Sequence, residues 1–124
     1  MIVAVPRESF PGERRVSLVP SVLPALTKAS IDIVVEASAG VSAGFPDKAY
    51  IEKGARLAAT KTQLLADAEI VLQVRSPGAA GKVGLTDLGL LRSGQTIIGL
   101  SEPLAEPKTA QAVAERGIRS FSME

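Results

Sequence analysis

Ile2-Val3-Ala4-Val5 opens the chain as an uninterrupted apolar run, and Pro6 ends it. A short run of this kind is typical of a strand buried on both faces of a parallel sheet. Further strands, in apolar runs that polar residues interrupt, are predicted at 31–35, 70–74, 96–100 and 118–123. Between the runs, helical spacing and terminal signals predict helices at 20–28, 46–53, 61–67, 85–91 and 107–116. Alternating strands and helices predict an α/β fold, with a mostly parallel open sheet and helices on both faces.

The length and composition fit one folded domain. The chain has 124 residues, of which 46% are hydrophobic and 22% charged, and these shares are ordinary for a globular protein. They exclude a disordered tail, a fibrous repeat and a disulfide-dependent miniprotein. Aromatic residues make up only 3%, so the core is expected to consist of Ala, Val, Leu and Ile.

The charge balance and the absent residue types exclude several classes of function. Fourteen Lys and Arg against thirteen Asp and Glu give a net charge of +1, which predicts no nucleic-acid surface. The chain has no cysteine and no histidine, so thiol catalysis, zinc–thiolate sites and a histidine acid/base are excluded. No signal peptide and no run of 18 apolar residues is present. We therefore expect a cytoplasmic chain with no direct membrane insertion.

Three loops are expected at the carboxyl ends of strands, where parallel sheets bind ligands. They span 6–15, 75–84 and 101–106, and they contain Arg15, Arg75 and Glu102. We take these three residues as candidates for lining or binding in a cleft, because guanidinium groups pair well with carboxylate or phosphate. Equally, Arg15 could pair with a nearby glutamate, Glu13 or Glu8, and Glu102 could neutralise the arginines as a salt-bridge partner. No nucleophile–base pair stands out, so no catalytic residue is assigned.

Two glycine-rich segments are candidates for cofactor binding. Residues 78–84 carry the spacing GxxGxxG, and residues 36–45 also follow a strand. Neither segment has the dinucleotide fingerprint GxGxxG or the P-loop pattern GxxxxGK[ST]. We therefore predict a flexible loop at 78–84 and a Rossmann-like or flavodoxin-like lobe without a dinucleotide fingerprint.

The whole pattern resembles a known family. Pro6-Arg7-Glu8 and Pro-Gly-Glu-Arg-Arg-Val-Ser-Leu-Val-Pro at 11–20 resemble the opening of the alanine dehydrogenase and pyridine nucleotide transhydrogenase N-terminal domain. Further stretches that resemble it lie at 35–40, 44–50, 54–55, 68–74, 91–95 and 121–124. The resemblance covers essentially the whole chain.

Two branches of this family differ at the candidate residues. Arg15 matches a substrate-binding arginine of the alanine dehydrogenase branch, but that branch has a lysine where Arg75 stands and a histidine near Glu102. A guanidinium cannot replace a lysine amine that must lose its proton. The resemblance therefore favours the branch of NAD(H)-binding alpha subunits of proton-translocating transhydrogenase. The alternatives are an alanine-dehydrogenase-type substrate lobe and a non-catalytic binding or scaffold module.

This resemblance implies hydride transfer between NADH and NADP+, coupled to proton translocation. Residues 1–124 would form the N-terminal lobe of the alpha subunit, inactive alone, while a further lobe would bind NAD and a partner domain NADP. The implied partners are that NAD-binding lobe, the membrane and NADP-binding domains or subunits, and a second copy in a homodimer. Such a chain would be cytoplasmic, with attachment at the inner membrane only through partner subunits. The strand predicted at the end of the chain has no helix after it, so we expect part of one sheet face to be uncovered.

Overall fold

Six strands form one parallel sheet in the computed structural model, which describes residues 1–124. The strands are β1 (Ile2–Val5), β2 (Asp32–Glu36), β3 (Arg56–Ala58), β4 (Ile70–Arg75), β5 (Thr96–Leu100) and β6 (Arg119–Ser122). The helices are α1 (Leu23–Lys28), α2 (Asp47–Glu52), α3 (Lys61–Ala66), α4 (Gly81–Leu88) and α5 (Pro107–Glu115). Short 3-10 turns lie at Pro20–Val22 and Val41–Ala43. No helix combines the length and the apolar character that crossing a membrane demands.

The strand order is β3-β2-β1-β4-β5-β6, and every neighbouring pair is parallel. This is the order of a doubly wound α/β sheet, and it reverses direction between β1 and β4. The predicted α/β class with helices on both faces is therefore confirmed. The sheet is wholly parallel, whereas the sequence predicts a mostly parallel sheet.

Two local predictions were wrong. The strand β3 was not predicted, because it has three residues and two of them are exposed at the edge of the sheet. The segment 78–84 is not all loop, since α4 begins at Gly81. Gly84 lies in that helix, and a Cβ atom there would come within 3.0 Å of the Cβ of Ala80 and 3.1 Å of the Cα of Pro77. The glycine permits close packing of α4 on the preceding turn, which the spacing alone did not reveal.

Aliphatic side chains form one buried cluster on each face of the sheet. On one face, side chains of α3, α4 and α5 pack against the strands. This cluster consists of Ala4, Val34, Leu64, Leu65, Ala68, Val71, Leu88, Leu91, Ile97, Val113 and Ile118. The opposite face carries Val3, Val5, Leu23, Ile33, Val35, Ala39, Tyr50 and Ala55. Only one of these nineteen residues is aromatic, as the composition predicts.

The buried cluster of the second face is centred on β1 and β2, and Ile70 and Leu72 of β4 pack against it. On β4 and β5 an open groove of about 340 Å³ remains, bordered by residues 15–17. Leu72, Ile98 and Phe121 lie side by side in the strand register, and Phe121 is 58% exposed.

Candidate functional site

The candidate site lies at the carboxyl ends of β1 and β4, where the strand order reverses. Residues 6–19 leave β1 as a long loop before the turn at Pro20 begins. In dinucleotide-binding folds a short glycine-rich turn joins this strand directly to a helix, whose N-terminus receives the phosphates. The present loop is too long and too polar for that arrangement. Its contribution to the site is a set of charged side chains.

Glu8 fastens this loop to β4. Its carboxylate accepts hydrogen bonds from the backbone N–H groups of Val74 (2.6 Å) and Arg75 (3.2 Å). The pairing of β1 with β4 runs only as far as Ala4 and Val71, so Glu8 takes the place of a neighbouring strand at the end of β4. Burial raises the pKa of this carboxyl group, although both backbone hydrogen bonds oppose the shift.

Glu13 joins the two candidate arginines. Arg15 donates from Nε to Glu13 Oε1 at 2.6 Å and from Nη2 to Oε2 at 3.2 Å. Arg75 Nε lies 3.5 Å from the same Oε2 atom. The hydrogen bond from Arg15 is the main reason that the pKa of Glu13 is lowered. The structure thus brings Arg15 and Arg75 together around a carboxylate between them.

Arg75 is held on three sides. Its guanidinium carbon lies 4.1 Å from the ring centroid of Phe10, within the range of a cation–π contact. Its Nη1 donates to the backbone oxygen of Ala79 at 3.2 Å. Its Nε is buried and makes the ion pair with Glu13 but no hydrogen bond.

Glu102 lies at the end of β5 and takes no part in the ion pairs of this cluster. Its backbone has a φ of 48°, and its N–H donates to Glu124 Oε1 at 2.6 Å. The neighbouring Ser101 N–H donates to the same oxygen at 2.8 Å. The carboxylate between the arginines is therefore that of Glu13. The spacing Glu13-x-Arg15 signals this pair in the sequence.

A second ion pair borders the loop and was not predicted. Lys61, at the start of α3, lies 3.1 Å from Asp87 Oδ2 and donates to Ser9 Oγ at 2.8 Å. Both charged side chains are only 14% exposed. The pair ties α3 and α4 to the loop after β1, so that this loop is anchored on two sides, by Glu8 to β4 and by Lys61 to the helices.

The chemistry available at the site is electrostatic. Two guanidinium groups and two carboxylates can orient polar or charged groups, but arginine does not exchange protons near neutral pH. No cluster of acidic side chains capable of holding a metal ion is present. The site can therefore bind and position a ligand, and the groups of the cluster that can exchange protons are the carboxylates of Glu8 and Glu13.

Comparison with known proteins gives the family. The model of the alanine dehydrogenase/PNT N-terminal domain matches residues 4–124. The chain belongs to this family. It is 32% identical over its full length to an alpha-subunit chain of NAD(P) transhydrogenase from Rhodospirillum rubrum, and 34% identical to alanine dehydrogenase of Halomonas elongata. It covers 32% of each of these relatives, so the chain spans about a third of their length.

A solved structure from the same family supports the fold directly. The transhydrogenase from Sinorhizobium meliloti superposes on the whole chain with a TM-score of 0.90 and 31% identity, and 35% of that chain is covered. The names of these relatives are those of oxidoreductases that use pyridine nucleotides. Identities of 32% and 34% do not separate the transhydrogenase branch from the alanine dehydrogenase branch. The residues of the candidate site are therefore needed to distinguish the two branches.

Proposed function

We propose that residues 1–124 are the N-terminal lobe of the NAD(H)-binding alpha subunit of a proton-translocating NAD(P) transhydrogenase. In this function the whole assembly transfers hydride between NADH and NADP+. The cofactors carry the hydride chemistry, and protein groups supply binding and orientation. The lobe itself would contribute one wall of the cleft at the carboxyl ends of β1 and β4.

The observation that supports this proposal is the set of contacts that holds the Arg75 guanidinium. An alanine dehydrogenase reaction needs groups that can accept and release protons at the amine carbon. A guanidinium does not give up its proton near neutral pH, that of Arg75 is held by Glu13 and Ala79, and the chain has no histidine. Hydride transfer between two nicotinamide rings needs no such group, so it suits these residues better.

The remaining expectations follow from the same assignment. NAD would be bound mainly by a further lobe of the same subunit, and NADP by a partner domain. The partners would also include the membrane part of the assembly and a second alpha subunit. Attachment of the lobe to the inner membrane would then be indirect, through those partners.

The test is a disruption of the coding sequence of this chain in its source cell. We expect membranes from the disrupted strain to lose hydride transfer from NADH to an NADP+ analogue, and the unaltered gene on a plasmid to restore it. Formation of NADH that depends on L-alanine should be the same in both strains.

The second candidate gives the opposite pattern. An alanine-dehydrogenase-type lobe would use Arg15 and Arg75 to hold the carboxylate of a 2-oxo acid. Its disruption would remove the L-alanine-dependent activity and leave hydride transfer between nucleotides intact. Loss of neither activity would favour a non-catalytic binding or scaffold module.

A further inference from the structure

A β-bulge interrupts β4 directly before Arg75. Leu72 pairs with Ile98, and Arg75 pairs with Leu100. Three residue steps along β4 therefore correspond to two steps along β5, so β4 contains one extra residue at positions 73–74. Bulges of this kind re-aim the side chains that follow them, and they are frequent beside functional sites.

The bulge decides on which face of the sheet Arg75 lies. Successive residues of a strand point to alternate faces, and a shift by one residue moves a side chain to the other face. A strand without the extra residue would place Arg75 on the face of Val71, where α3, α4 and α5 pack. With the extra residue, Arg75 lies on the face of Leu72, where Val16 and Leu18 of the loop after β1 pack.

Glu8 accepts the two N–H groups that the bulge turns to one side. In a regular strand, successive N–H groups point to opposite neighbours. Here the N–H groups of Val74 and Arg75 both donate to the Glu8 carboxylate, at 2.6 Å and 3.2 Å. The next N–H group, that of Ser76, returns to the Leu100 oxygen at 2.9 Å. The pairing of β1 with β4 has ended before this point, so the carboxylate is the acceptor for both groups.

The facing strand is adapted to the same bulge. The Gln73 carbonyl group approaches β5 at Gly99, where an added Cβ atom would overlap the Gln73 oxygen. A side chain at position 99 would therefore push the bulge away from β5. Glu8 on one side of β4 and Gly99 on the other thus hold the bulge in place.

We infer that Glu8 is a positioning residue, whose carboxylate stabilises the bulge in β4 and thereby directs the Arg75 side chain into the candidate site. There the Arg75 guanidinium lies 4.1 Å from the ring centroid of Phe10 and donates to the Ala79 oxygen at 3.2 Å. The inference rests on the proposed function only in that Arg75 lines the cleft, and it holds equally for the second candidate function.

The test follows the Arg75 side chain in the 124-residue chain, labelled with nitrogen-15. The Nε–Hε signal of Arg75, identified by its loss in Arg75→Gln, should be displaced by the ring current of Phe10. In Glu8→Ala this signal should move to the position of an exposed arginine, because the bulge loses its acceptor. Glu8→Gln keeps one acceptor oxygen at the same reach, so part of the displacement should return. An Arg75 signal that keeps its position in Glu8→Ala would overturn the inference.

Glu36→Ala is the matched control. The Glu36 carboxylate, at the end of β2, accepts a hydrogen bond from the Arg7 N–H group at 2.7 Å. It therefore also ties the loop after β1 to a strand, but that strand is not β4. The Arg75 signal should keep its position in this variant. A displacement equal to that in Glu8→Ala would contradict the inference, because a loosened loop would then explain both results.

Hydrogen exchange in the unsubstituted chain gives a reading that does not depend on the folding of a variant. The N–H groups of Val74 and Arg75 should both exchange about tenfold or more below the rate of an unprotected N–H group. Unprotected exchange of either group would show that Glu8 does not hold it, and the inference would fail. Hydride transfer and L-alanine-dependent activity are measured separately, so failure of this inference and failure of the proposed function are distinguishable.

Discussion

Tyr50 is the only tyrosine of the chain, which also lacks tryptophan. Its side chain is fully buried, and its hydroxyl donates to the backbone oxygen of Leu18 at 2.8 Å. Gly40 packs against the ring, where a Cβ atom would lie 2.6 Å from a ring carbon. Burial is the main cause that raises the pKa of Tyr50 to about 12, and the charge of Asp47 adds to it.

This shift predicts a delayed phenol titration. Phenolate absorbance in the folded chain should rise only near pH 12, whereas in concentrated urea it should rise near the ordinary value of about 10. Between these values the unfolded state loses its proton first, so the free energy of unfolding should fall as pH rises from 10 to about 12. Identical midpoints with and without urea would show that the hydroxyl is not buried.

At the scale of elements, the junction between β4 and β5 depends on the absence of side chains. Gly78 has a φ of 110°, and a methyl group there would overlap the backbone oxygen of Ser101. Next to it, the Ser76 and Ser101 hydroxyls are 2.6 Å apart and buried. The turn after β4 therefore packs directly against the backbone that follows β5.

Gly78→Ala and Gly94→Ala form a matched pair that isolates this close approach. Gly94 has a φ of 90° but nothing within 4 Å of an added Cβ, so its substitution should cost only the left-handed conformation, about 1–2 kcal/mol. Gly78→Ala adds a steric overlap and should cost about 3 kcal/mol or more. Urea unfolding of both variants measures the difference, and equal losses would mean that the junction is looser than described.

The strands that could be predicted from the sequence are those with a local apolar pattern. β1, β2, β4 and β5 each have such a run, and β6 was predicted after the helix stop at Gly117, whereas β3 pairs only at the edge and shows no pattern of its own. The start of α4 was missed because glycine normally disfavours helices, and the reason for Gly84 is a contact with Ala80 and Pro77. Spacing along the chain could not supply that contact.

In the site, too, contacts within one loop could be predicted from the sequence, whereas contacts between distant segments could not. Pairing of Arg15 with Glu13 or Glu8 of its own loop was a predicted alternative to ligand binding, and Glu13 is the partner. That Arg75 shares the same carboxylate depends on β1 lying beside β4, which is a property of the strand order. Likewise, nothing local predicted that Gln95 would be fully buried, with its side-chain nitrogen donating to the oxygens of Leu65 and Ala68.

At the scale of the whole molecule, the loop after β1 predicts weak or absent cofactor binding. The 124-residue chain has neither a glycine fingerprint nor a helix that starts directly after β1, so it offers no phosphate site of the dinucleotide-binding type. Calorimetric titration with NADH should give no measurable heat of binding. A dissociation constant in the micromolar range would contradict this and would direct attention to the glycines at 78–84.

The place of β1 has a consequence for the synthesis of the molecule. β1 precedes the other five strands in the sequence and is also one of the two central strands, with β2 on one side and β4 on the other. β1, β2 and β3 pair with neighbours that are close in sequence, and so do β4, β5 and β6. The pairing of β1 with β4 is the contact between strands that closes the longest stretch of chain. β1 must therefore remain available for pairing until the chain has been synthesised as far as its partner β4, since Val3 pairs with Ile70. A truncation that removes β1 would leave β3-β2 and β4-β5-β6 as a two-stranded and a three-stranded piece, with no strand to pair them.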